Sequence, residues 1–174
     1  MKYLIIGVGG TGGILGFKLT KGGMDVTMIS RGEHLRAMQE NGLTVHKIWD
    51  GQTESLPVKA IAAEDYQEQP DVILVCVKGY SLDGVYPLIR RVSGSDTVVI
   101  PILNIYGTGG RMQEELPGIL VTDGCIYVSA NIESPGVLQQ HGKICRVVFG
   151  VRKKDEFRPV LAATARVMEE SERR

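Results

Sequence analysis

Almost no side chain is present between Gly7 and Gly13, where the sequence reads "GVGGTGG" directly behind the apolar run "KYLII". Bare amides in such a place do one kind of chemistry well: they hold an anion too bulky to pass a Cβ. Gly7-x-Gly9-x-x-Gly12 divides that work. The first glycine permits a tight turn out of a strand, the second admits a diphosphate bridge to the backbone, and the third lets a helix pack closely on a sheet. Val8, Gly10 and Thr11 fill the gaps, and the N–H groups of this first turn face the anion at the positive end of a helix dipole. Further on, where a ribose-binding carboxylate would stand, the chain reads "MISRGEH". A carboxylate there accepts from a 2′-OH and repels a 2′-phosphate. Ser30 and Arg31 offer a hydroxyl and a guanidinium instead, which favours NADP(H) over NAD(H). Glu33 is close enough in sequence to pair with Arg31 and cancel it.

Two further residues stand where chemistry is done. Lys78 closes the run "DVILVCVK", at the carboxyl edge where open α/β sheets take their ligands. Asn104 ends "PILN" with an amide that both donates and accepts, although before "IYGTGG" it is equally a turn residue. Cys76, Cys125 and Cys145 are widely spaced and odd in number, which reads as reduced, partly buried small hydrophobes. His34, His46 and His141 show no metal-ligand spacing with them and receive no catalytic role.

A phosphate-holding loop is useful only if a strand delivers it and a helix receives it. "KYLIIG" supplies the strand, "GILGFKLTKGG" a helix stopped at Gly22-Gly23, and "DVTMIS" a second buried strand, which together make a βαβ unit. "GEHLRAMQENG" predicts a helix. "LTVHKIWDG" to "ESLPVKAIA" predicts two short strands in an edge hairpin. "DVILVCVK" is apolar without interruption, as expected of a strand buried on both faces of a parallel sheet. "SLDGVYPLIRRV" predicts a helix weakened by Gly84 and Pro87, "DTVVIPILN" a strand, and "GRMQEEL" a short helix. "GILVTDGCIYVSANI" and "GKICRVVFG" are β-structure around the turn "ESPG". A last helix runs through "DEFRPVLAATARVMEESERR", with Phe157, Val160, Leu161, Val167 and Met168 as its apolar stripe and Thr164 as a polar break. The fold class is α/β: one Rossmann-like, doubly wound domain over residues 1–174, with a mostly parallel sheet and helices on both faces.

Composition limits the partners. The 174 residues carry no net charge and are 43% hydrophobic, ample for a core and poorly suited to nucleic acid. No apolar run approaches the roughly 20 residues that cross a bilayer, and no secretory segment follows Lys2, so a cytoplasmic protein is expected.

With "GVGGTGG", "ISRGEHLRAMQENGL", "DVILVCVKGYSL", "PILN" and "SPGVLQQHG" in this order, the chain resembles the 2-dehydropantoate 2-reductases, the ketopantoate reductase family. The likeness spans nearly the whole sequence, and "VCVKGY" and "SPGVLQQHG" are more telling than the glycines. The resemblance implies an N-terminal NADPH-binding Rossmann domain and a helical C-terminal domain that completes the active site. It implies that Gly7 to Gly12 hold the pyrophosphate and that Arg31 and Lys78 lie toward the adenosine 2′-phosphate. Asn104 matches an asparagine near the nicotinamide and substrate, and Ala130, in "CIYVSANIESPG", a backbone contact beside the cofactor. The family commonly shows "QNG" where this chain has "LNI", so Leu103 and Ile105 replace Gln and Gly at the substrate end.

The implied reaction is NADPH-dependent reduction of a 2-oxoacid, with 2-dehydropantoate, reduced to pantoate in pantothenate biosynthesis, as the expected substrate. The family's general acid is a lysine early in the helical domain, expected beyond Arg174. Lys153 and Lys154 precede the last helix and are not given that role. The chain thus reads as the cofactor-binding half of a reductase, inactive alone, with a bared apolar surface that invites a homodimer. A non-catalytic nucleotide-sensing module is the alternative, although such modules usually keep the ribose-binding acid that Ser30-Arg31 lacks.

Overall fold

A computed structural model describes residues 1–173. In chain order the elements are β1 (Lys2–Ile6), α1 (Gly10–Lys21), β2 (Asp25–Ile29), α2 (Gly32–Asn41), β3 (Leu43–Lys47), β4 (Gln52–Leu56) and β5 (Lys59–Ile61). They continue with β6 (Val72–Val75), α3 (Tyr86–Val92), β7 (Val98–Pro101), α4 (Thr108–Glu115), β8 (Leu120–Val121), β9 (Asp123–Ser134), β10 (Val137–Gly150) and α5 (Pro159–Arg173).

The uninterrupted apolar runs have a simple consequence. Successive strand side chains point to opposite faces, so a run with no polar member must be covered on both. Tyr3, Ile5, Val72, Leu74, Val98 and Ile100 enter a core shared with α1 and α5. Their neighbours Leu4, Ile6, Ile73, Val75 and Val99 enter a second core with α3 and α4. The sheet between them is six-stranded in the order β5-β2-β1-β6-β7-β8, and every pairing in it is parallel. Its direction of winding reverses between β1 and β6, and the crevice outside the carboxyl ends of those two strands is where such sheets bind ligands.

The predicted edge hairpin belongs elsewhere. β3 and β4 pair antiparallel and join β9 and β10 in a separate four-stranded sheet, order β4-β3-β10-β9, and only β5 extends the parallel sheet. This second sheet covers α1 from the side away from the first. A Cβ at Gly16 would stand 2.5 Å from Met28 Cε in the parallel sheet, and one at Gly13 would stand 2.5 Å from Leu138 Cδ1 in the second. The small residues of α1 let it be pressed between the two sheets, which explains why its apolar residues are not confined to one stripe.

Three other expectations change. The helix expected over "SLDGVYPLIRRV" begins only at Tyr86, after two 3-10 turns at Gly79–Ser81 and Asp83–Val85. Pro87 stands in its first turn, where a missing N–H costs nothing, so the proline starts the helix rather than weakening it. β10 begins at Val137, directly after the Pro135-Gly136 turn. In α5, Leu161 and Met168 are buried as expected, but Phe157 precedes the helix and is 57% exposed. Thr164, the supposed polar break, is completely buried and accepts from the Tyr3 hydroxyl at 3.5 Å. Arg174 lies outside the described residues. Among the described residues, no helix is long and apolar enough to cross a membrane.

Candidate functional site

The glycine loop leaves β1 at the crevice, and each glycine of the fingerprint meets different surroundings. Gly7 has φ +96°, and its N–H donates to the Ile29 carbonyl at 3.3 Å, so the turn is tied to the end of β2. A Cβ at Gly12 would stand 2.1 Å from the Gly7 carbonyl oxygen and 2.8 Å from Cys76 Cβ: α1 sits too close to the loop and to the end of β6 for any side chain. Gly9 is the opposite case. Nothing lies within 4 Å of where its Cβ would be. Its backbone has ordinary φ and ψ of −85° and −162° and caps α1 with no side-chain hydrogen bond. The first N–H groups of α1 therefore open onto unfilled space, with no acidic residue in that turn.

Gly9, Gly10 and Thr11 form one wall of a cleft of about 310 Å³. Cys76, Val77, Lys78 and Gly79, beyond β6, form another, and Ile102 to Ile105, with Ile126 and Ala130, complete it. Val8 is buried behind the loop. Lys78 is exposed at the rim. Arg31 lies outside the cleft lining, exposed at the start of α2, immediately past the β2 end to which Gly7 is bonded. Glu33 does not form the anticipated pair with Arg31: no carboxylate among the described residues pairs with Arg31 or Lys78. Burial pushes the Cys76 thiol up to about 12, so the cleft contains no thiolate nucleophile there.

Ala130 and Asn104 enter the cleft in ways the sequence does not announce. The Ala130 carbonyl oxygen would stand 2.2 Å from a Cβ at Gly10, so β9 passes directly against the loop, and Gly10 is small to let it. Asn104 Nδ2 donates to the Ile126 carbonyl at 2.8 Å, while its Oδ1 accepts from the Ile126 N–H at 3.0 Å. The carboxamide thus acts as a short piece of strand on the free edge of β9. One N–H and one lone pair remain for a further contact. Beyond it the cleft continues into an apolar hollow of about 980 Å³, rimmed by Ile105, Tyr106, Tyr127 and Val148, all exposed. Leu103 is buried, and Ile105, 56% exposed, would leave only 2.8 Å between its Cδ1 and a Cβ at Gly79. No group of three or more potential metal ligands is found among the described residues.

Comparison with known proteins matches this arrangement to one family. The description "Ketopantoate reductase PanE/ApbA" fits residues 3–154. The 2-dehydropantoate 2-reductase of Pyrococcus abyssi is 33% identical over 148 residues, 82% of this chain and 45% of that protein. The uncharacterized oxidoreductase YkpB of Bacillus subtilis is 29% identical over 150 residues, 86% of this chain and 48% of that one. The chain spans about half the length of the curated relatives it matches. Among solved structures, the 2-dehydropantoate 2-reductase from Porphyromonas gingivalis superposes with TM-score 0.76 at 27% identity, covering 98% of this chain and 61% of that one. A ternary structure of D-mandelate dehydrogenase with NADH and anilino(oxo)acetate shares the fold, with TM-score 0.84 at 23% identity over 98% of this chain and 54% of that one. Residues 3–154 make up most of the sequence, and the chain belongs to the ketopantoate reductase PanE/ApbA family.

Proposed function

We propose that this chain is the cofactor-binding half of an NADPH-dependent 2-oxoacid reductase, with 2-dehydropantoate as substrate and pantoate as product. The observation that carries the reading is the space left open at Gly9, in front of uncapped amides at the start of α1. The amides from Gly7 to Gly12 would hold the diphosphate, including those of Val8, Gly9, Gly10 and Thr11. Arg31 and Lys78, neither paired with a carboxylate among the described residues, would neutralise a 2′-phosphate. Ala130 would meet the cofactor through its backbone, and Asn104 would turn its remaining N–H and lone pair toward nicotinamide and substrate. A reduced nicotinamide bound there supplies the hydride that converts a 2-oxoacid to a 2-hydroxyacid. The chain's own groups orient the reactants and screen them from water. The proton for the forming alkoxide must come from a donor within hydrogen-bond reach. We assign that donor to the part of the relatives that this chain does not span.

The choice of NADPH is supported by the missing carboxylate at Ser30-Arg31, and the choice of substrate by the names of the curated relatives. Thermal shift with NADPH and with NADH, repeated on Arg31→Ala, tests the cofactor. Stabilisation by NADPH that falls to the NADH level in the variant is expected. Stabilisation by NADH alone would point to a nucleotide-sensing module, and no shift with either would end the proposal.

A further inference from the structure

His34 has no part in the function proposed above, and no spacing in the sequence singles it out. It stands in the first turn of α2, and its Nδ1 accepts a hydrogen bond from the Gly136 N–H at 2.9 Å. Because Nδ1 accepts, the ring proton belongs on Nε2. Nε2 is sealed from solvent with no hydrogen-bond partner. Burial holds the imidazole below its usual basicity, opposed in part by Val8, so the ring is neutral at pH 7.

The turn that His34 grips is constrained in its own right. Gly136 has φ +76°, and a Cβ there would stand 3.0 Å from Ala37 Cβ. Its carbonyl accepts from the Thr44 N–H at 2.9 Å. Both polar groups of Gly136 are therefore held, one by α2 and one by β3. From this turn β9 leads back to Ala130, whose carbonyl lies against Gly10. The glycine loop is thus supported from the side by the hairpin that His34 anchors.

We propose that His34 is a positioning residue: a neutral imidazole that ties the β9–β10 turn to the start of α2 and, through β9 and the Ala130 carbonyl, keeps the Gly7–Gly12 loop shaped for a dinucleotide. The proposal rests on the reading of that loop as the diphosphate seat. Two variants separate its parts. His34→Leu removes both ring nitrogens, whereas His34→Asn keeps an acceptor near the position of Nδ1. In hydrogen exchange of the full chain without nucleotide, His34→Leu should raise exchange about 10-fold in both segments 7–12 and 134–137, with β6 and β7 unchanged. His34→Asn should restore protection at 134–137. A rise in one segment only, in neither, or across the whole sheet would overturn the proposal. In calorimetric titration with NADPH, His34→Leu should bind at least about 5-fold more weakly, with most of the loss regained in His34→Asn. Equal affinity in wild type and His34→Leu would overturn it too. Failure of the wild type to bind either NADPH or NADH would instead defeat the proposed function, and hydrogen exchange would then judge the role of His34 by itself.

Discussion

Gly9 and Gly12 are both fingerprint glycines, yet the structure gives alanine opposite consequences at the two positions. At Gly9 the added methyl meets nothing within 4 Å, and φ of −85° suits any residue. Alanine gains about 0.4–1 kcal/mol by restricting the unfolded chain and loses a similar amount as a poorer helix cap, so net stability should change by less than about 1 kcal/mol. For a chain of this length that is a melting shift of no more than about 4 °C. On the proposed function the methyl would occupy the approach of the diphosphate, so NADPH affinity should fall at least about 10-fold, or 1.4 kcal/mol. At Gly12 the methyl would stand 2.1 Å from the Gly7 carbonyl oxygen. α1 must move, at a cost of about 1–3 kcal/mol, which lowers the melting temperature by roughly 2–12 °C. Differential scanning fluorimetry and isothermal titration on the two variants read both quantities. A Gly9→Ala protein that binds NADPH as the wild type does would refute the seat. A Gly9→Ala protein that melts like Gly12→Ala would refute the geometry of the loop.

Two more predictions concern the frame at the two ends of the sheet. Asn104→Asp keeps the acceptor for the Ile126 N–H but sets a carboxylate oxygen against the Ile126 carbonyl, where Nδ2 now donates at 2.8 Å. Stability should fall by about 1–3 kcal/mol, and an unchanged thermal midpoint would show that the bridge holds nothing. Glu68 accepts from both Lys2 and Lys59, and these contacts, above all the hydrogen bond from Lys2, lower its pKa from 4.5 to about 2. A depressed carboxylate pKa contributes stability that is complete above the unfolded value and is lost as pH falls from 4.5 toward about 2. Chemical denaturation across that window should show a smaller loss in Glu68→Gln than in wild type, the remainder coming from other paired carboxylates such as Glu54. High salt should shrink the difference, because the three side chains are exposed.

The parallel sheet was legible because its signal is local. A run such as "DVILVCVK" demands burial on both faces wherever it sits, and the glycine turn behind "KYLII" fixes the first strand and helix from neighbouring residues alone. The second sheet was not legible. Nothing within "LTVHK" indicates that its partner is β10, whose Val137 pairs with Thr44 across most of the chain. The hairpin was visible and its address was not. Thr164 failed for the same reason: a polar residue in an apolar row reads as a break until Tyr3, from the opposite end of the sequence, supplies its partner.

The candidate site divides along the same line. Gly7 and Gly12 could be read from spacing because the tight turn and the close approach of α1 to Gly7 belong to one βα turn. Gly10 could not, since its smallness serves the Ala130 carbonyl on β9, a contact that exists only once the second sheet has folded over α1. Asn104 shows the difference most sharply. Its residue type and strand-end position pointed to the cleft, yet half of its hydrogen-bonding capacity is already committed to the edge of β9 at Ile126. A polar side chain at a strand end can serve a ligand and the frame together. If the Asn104 bridge fixes the separation between β7 and β9, it also fixes the width of the cleft between the glycine loop and Ile105. Replacing Asn104 should therefore weaken nucleotide binding even where no atom of the nucleotide touches the amide.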